Sequence, residues 1–130
     1  MEVTLAFLAD AANTTASQKL NVLGMFSNLG VPGFPYVHPI MTLVVKFEAG
    51  PAEAGTDQLV EIVLVEPGGQ TVYSIIPEPL HLPDDHDQPV EVLLQVSIEG
   101  VRFDRAGPHA FVVILSGEAK FRVPINIAEN

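Results

Sequence analysis

The chain has no cysteine, no tryptophan and only six lysines and arginines, and it holds no apolar run of the roughly 18 to 20 residues that a membrane-crossing helix needs. Without cysteine there are no disulfides, thiolate metal sites or cysteine nucleophiles, and a reducing compartment suffices. The basic residues are scattered from Lys19 to Arg122 against sixteen acidic ones, for a net charge of −10. No concentrated positive patch is expected, so neither nucleic acid nor an anionic membrane surface is expected as a partner. Met1-Glu2-Val3-Thr4 lacks a basic leader and Asp10 interrupts the apolar stretch behind it. No signal peptide is therefore expected, and the cytoplasm is the expected location. With Tyr36 and Tyr73 as its two tyrosines, the chain offers little aromatic surface for stacking on sugars.

Catalytic and cofactor motifs are missing as well. There is no Gly-x-Ser-x-Gly elbow: the glycines around Ser27 are spaced wrongly, and Ser116 sits in a turn sequence. No glycine-rich phosphate loop ends in Gly-Lys-Ser/Thr, and no Gly-x-Gly-x-x-Gly opens a helix. The expectation is a non-enzymatic protein without a cofactor.

What is present is strand periodicity. In Lys120-Phe121-Arg122-Val123-Pro124-Ile125-Asn126-Ile127 the odd positions are apolar, which is the period of a strand with one buried face. Its expected partner is His109 to Leu115, joined through Ser116-Gly117-Glu118. On this pattern Phe121, Val123 and Ile125 are buried. A first strand starts at Val3 and ends near Asp10, and the small, polar run Ala11 to Ser17 reads as a loop or a helical turn. A second strand spans Lys19 to Leu29, where Gly24 signals a bulge or a close backbone approach. Further strands are expected at Met41 to Glu48, Gln58 to Glu66, Gln70 to Ile76 and Val90 to Glu99, with Pro67-Gly68-Gly69 making another hairpin.

Two proline-rich stretches, Gly30 to Pro39 and Pro77 to Pro89, read as loops without regular structure. Eight or nine strands without an amphipathic helix make an all-β chain. Its expected architecture is a two-sheet antiparallel β-sandwich, immunoglobulin-like or jelly-roll, in a single domain over residues 1–130.

The run Leu5-Ala6-Phe7-Leu8-Ala9-Asp10-Ala11-Ala12, followed by Lys19-Leu20-Asn21-Val22-Leu23-Gly24-Met25-Phe26, resembles a family of small bacterial β-sandwich proteins known as a domain of unknown function. The proline-rich loop, the strand Met41 to Phe47 and a closing hairpin with Gly107, His109 and Phe111 follow in the family's order. The resemblance implies a β-sandwich and carries no site residues with it.

Three groups of residues are candidates for function. In His81-Leu82-Pro83-Asp84-Asp85-His86-Asp87, imidazoles and carboxylates crowd together, so His81, Asp84, His86 and Asp87 are weak metal-ligand candidates, but the preferred reading is a solvated loop tip without a structural metal. His109, beside an apolar run, reads as a structural histidine. Val31, Phe34, Tyr36 and Val37 place large apolar groups in a proline-stiffened loop, which either folds back over the open end of the sandwich or forms an interface.

Apolar residues make up 48% of the chain and charged ones 17%, below the usual quarter or so, so some surface is expected to be covered by a partner. The expected role is a protein-interaction or self-assembly module, a homo-oligomer or a binder of another protein. The alternative is a small-ligand or carbohydrate-binding sandwich.

Overall fold

The structure is a computed structural model that describes residues 1–77, 79–84 and 87–130. Among the described residues, alternating apolar side chains build eleven strands and there is no α-helix. The first four are β1 (Glu2–Thr14), β2 (Leu20–Phe26), β3 (Asn28–Val31) and β4 (Tyr36–Ala49). After a single 3-10 turn at Pro51–Glu53 come β5 (Asp57–Gln58), β6 (Val60–Val65), β7 (Thr71–Ile75) and β8 (Leu80–His81). Three long strands close the chain: β9 (Val90–Phe103), β10 (Gly107–Leu115) and β11 (Glu118–Glu129).

They form three sheets, none closed: β2-β1-β4-β9, β3-β11-β10-β6-β7, and the small pair β5-β8. One hydrophobic cluster draws on both large sheets. Leu8, Met41, Leu43, Val45, Phe47, Val96 and Ile98 come from the first, and Ile62, Leu64, Phe111, Val113, Val123, Ile125 and Ile127 from the second. Each such side chain contributes about 1.5 to 3 kcal/mol by leaving water.

The hairpin read from the sequence is there. β10 and β11 pair antiparallel down to Leu115↔Glu118, and the two residues between, Ser116 (φ 48°) and Gly117 (φ 84°), both adopt the left-handed conformation that matches strand twist in a two-residue turn. The β6–β7 hairpin also forms, closed by Glu66 N–H donating to Gln70 O at 2.9 Å.

Several boundaries differ from expectation. β1 does not stop near Asp10 but runs on to Thr14, because β2 supplies a partner for the small residues, as in Ala11↔Leu23 and Thr14↔Leu20. The expected strand Lys19 to Leu29 is two strands: the chain leaves the first sheet at Ser27, and β3 pairs with β11 in parallel, so the pairing is not wholly antiparallel.

Residues 36–39 are not loop but the start of β4. Pairing with β1 ends at Thr42, so this part of β4 has β9 alone beside it, with His38↔Val101 and Ile40↔Glu99 on either side of Pro39. A proline whose missing N–H faces an open side removes no ladder bond. β9 runs past Glu99 to Phe103 because Gly100, at φ 66°, lets the alternation slip by one: Val96 and Ile98 are buried before it, Val101 and Phe103 after it. The stretch 77–89 is not all loop either, since Leu80 and His81 pair with Gln58 and Asp57.

Val123 and Ile125 are buried as the alternation requires, but Phe121 is 38% exposed. It lies beside a bulge where the register shifts between Val113↔Phe121 and Ile114↔Ala119, and a bulge bends and twists its strand locally.

Candidate functional site

Beyond Ala9↔Thr42 β1 has no bond to β4 and continues with β2 alone as a two-stranded ribbon. The ribbon ends in a turn in which Thr15 N–H donates to Lys19 O at 2.8 Å and Lys19 N–H donates to Thr15 Oγ1 at 3.1 Å. A straight strand would carry Thr14 about 30 Å from Leu5. Both residues nonetheless line one cleft of about 680 Å³, so the ribbon curls back over the sheet it left. Thr14, Gln18 and Leu20 form the ribbon's side of the cleft, while Leu5, Lys46 and Leu93 belong to the sheet. His81 in β8 and Pro83 just after it close the cleft. Lys46 Nζ is 3.0 Å from Glu91 Oε2, an ion pair within this lining.

His81 is held by two carboxylates. Its Nδ1 is 2.7 Å from Asp57 Oδ1 and its Nε2 is 3.4 Å from Asp84 Oδ1. The hydrogen bond to Asp57 raises its pKa above the ordinary histidine value, and the charges of Asp57 and Asp84 add to that against a smaller opposing effect of desolvation. Both ring nitrogens face carboxylate oxygens, which favours the charged ring relative to a free histidine. Such a ring ties β8 to β5 and to the following loop. Asp57, 24 residues upstream, could not be paired with His81 from the sequence, because only the β5–β8 register brings them together.

Of the other metal candidates, Asp84 faces His81 and Asp87 is exposed, while His86 lies outside the described residues. Among the described residues no group of three or more His, Cys, Asp or Glu side chains is placed to hold a metal ion. His109 is buried, with Nδ1 3.0 Å from Gly107 O and its ring edge-on to Phe103 at 5.3 Å, the surroundings of a packing residue.

The four interface candidates separate. Val31 is wholly buried in β3 and has no surface to offer, and Phe34 and Tyr36 pack on the core with partial exposure. The Tyr36 hydroxyl hydrogen-bonds His38 Nδ1 at 3.1 Å. Val37 alone of the four is open, at 55% exposure. The stretch thus folds back over the core, because burying three large apolar groups outweighs presenting them to water.

Among the described residues the two most exposed large apolar side chains lie elsewhere, on β2. Leu23 is 71% exposed, Met25 68% and Val22 40%. Among the described residues β2 is an edge strand, paired with β1 alone. Leu23↔Ala11 and Met25↔Ala9 put both large side chains on one face. Gly24 between them points to the other face and adopts φ 70°, and there the Asp10 carboxylate lies against it: a Cβ at position 24 would stand 2.3 Å from Asp10 Oδ2. The sequence signalled a close approach at Gly24 but not that this strand is an edge.

A family of unknown function (DUF6941) has a model that matches residues 4–128. No curated protein sequence matches the chain. Among solved structures, the fold resembles part of the alkylpurine DNA glycosylase of Pseudomonas fluorescens, solved bound to DNA containing an abasic-site analogue. The TM-score is 0.50 at 14% identity over 78% of this chain and 27% of that one. The likeness is one of fold, and this chain spans about a quarter of the glycosylase. It nevertheless corrects the expectation on partners: a similar fold occurs in a chain solved on DNA, so scattered basic residues do not exclude nucleic acid. Among the described residues no helix is long and apolar enough to cross a membrane.

Proposed function

The chain belongs to that family of unknown function, and from its own geometry we propose that it is a non-enzymatic interaction module, a single two-sheet β-sandwich domain that offers the edge of β2 to a protein strand. The observation that carries this reading is the exposure of Leu23 (71%) and Met25 (68%) on an edge strand. Folded proteins usually blunt such edges with charge or proline, since unpaired N–H and C=O groups recruit other strands. β2, Leu-Asn-Val-Leu-Gly-Met-Phe, contains neither. Strand addition takes its affinity from the main chain and its selectivity from alternate side chains, and both are available here.

The test is a pair of substitutions. Leu23→Lys with Met25→Lys removes the apolar face without touching the core, so the melting temperature should hold. Binding of an extended peptide, or any rise of solution mass with concentration, should be lost. If the unaltered chain gains no mass and binds no extended peptide, the reading fails.

A second reading rests on the cleft between ribbon and sheet. Its volume of about 680 Å³ falls in the range of small-molecule sites, roughly 300 to 1,000 Å³, and it combines apolar walls with the polar groups of Thr14, Gln18 and Lys46. On that reading the domain holds a small ligand or a carbohydrate. A thermal-shift screen tests it: stabilisation by a sugar or metabolite that Leu93→Arg abolishes supports the cleft, and no shift across the screen counts against it.

A further inference from the structure

We infer that the strand received by β2 carries a basic residue flanked by two apolar ones, in the order apolar-basic-apolar, with the basic side chain opposite Gly24. The inference rests on the interaction reading above and names the chemistry of the partner. Its ground is the placement of one charge. Side chains alternate between the faces of a strand, so a residue of an added strand lying opposite Gly24 shares the face that holds Asp10, and its two neighbours share the face of Leu23 and Met25.

Asp10 is exposed, and its carboxylate lies over the glycine, where position 24 has no side chain of its own. With no side chain at Gly24, the Asp10 carboxylate extends from β1 over β2 and brings a negative charge towards the open edge. A lysine or arginine opposite Gly24 meets opposite charge there, whereas an acidic residue meets repulsion. On the other face, Leu23 and Met25 offer a two-residue apolar ladder that β-branched side chains cover well. The charge of the whole chain, −10, points the same way: a basic strand is drawn in and an acidic one held off. It also disfavours a second copy of this chain, whose own β2 carries no basic residue to place over Asp10.

The experiment uses the full chain and two end-capped peptides, Ser-Thr-Val-Lys-Val-Thr-Ser and the same peptide with Glu in place of Lys, each labelled for fluorescence anisotropy. The lysine peptide should bind more tightly than the glutamate peptide by about tenfold or more, between attraction in one and repulsion in the other. Asp10→Asn should shrink that preference several-fold, and Asp10→Lys should reverse it. Circular dichroism and melting of each variant show that the fold is kept.

Binding of both peptides with equal affinity, or a preference unmoved by Asp10→Lys, overturns the basic-residue rule while leaving β2 as an interaction edge. If neither peptide binds but the solution mass doubles with concentration and Leu23→Lys abolishes the rise, the occupant is a second copy and the inference is wrong. If peptides and self-association both fail and a single-stranded oligonucleotide binds instead, the interaction reading falls with it.

Discussion

The carboxylate of Asp10 occupies the space that a side chain at position 24 would need, with Oδ2 2.3 Å and Cγ 2.9 Å from where a Cβ of Gly24 would stand. Gly24 also has φ 70°, a conformation that costs a non-glycine residue roughly 1 to 2 kcal/mol. Gly24→Ala should therefore destabilise the chain by at least that much in denaturant unfolding. Combining it with Asp10→Ala should recover the steric part and leave the backbone part. Full recovery in the double variant would mean that the left-handed backbone carries no cost.

A second expectation concerns pH. The hydrogen bond from His81 to Asp57, helped by the charges of Asp57 and Asp84, raises the histidine pKa. A group raised in the folded state stabilises that state fully below its unfolded value, about 6.5, and the contribution is lost as pH rises through the folded value. The ring-proton shift of His81 should titrate with a midpoint above that of a free histidine, and Asp57→Asn should lower it. A midpoint at or below the free value would place His81 away from both carboxylates.

The third expectation tests the register of β11. Ile125 is wholly buried and Phe121 is 38% exposed. Ile125→Ala should cost about 2 to 5 kcal/mol, and Phe121→Ala distinctly less than the 3 to 5 usual for a core phenylalanine. Equal losses at the two positions would restore the simple alternation and remove the bulge.

Phe34 and Tyr36 furnish the fourth. Because both pack on the core, Phe34→Ser with Tyr36→Ser should lower the melting temperature rather than dissociate an assembly. A variant that keeps its melting temperature but loses mass in solution would return these residues to an interface.

How far the sequence could be read follows from these residues. The β10–β11 hairpin was legible because its turn, its alternation and its partner are neighbours in the chain. The central part of β4 was legible for its alternation alone. Ala11 to Thr14 were not, since small and polar residues signal a strand weakly and are held in one by β2 across the ribbon. The proline at position 39 misled for the opposite reason, a strong local signal made harmless by an open neighbouring edge. No local pattern tells that β3 joins β11 in parallel, almost a hundred residues away. The candidate sites are of this second kind: the cleft gathers residues from β1, β2, β4 and β9 with others from β8 and the loop after it, and the exposure of Leu23 and Met25 depends on β2 having no outer neighbour.

The measurement that bears most directly on β2 as the interaction edge is a backbone amide shift map of the labelled chain, titrated with the Val-Lys-Val peptide. The account places the largest changes in residues 20–26 and at Asp10, with Leu5, Lys46 and His81 unmoved. Changes centred on the cleft residues, or none at a large peptide excess, would contradict it.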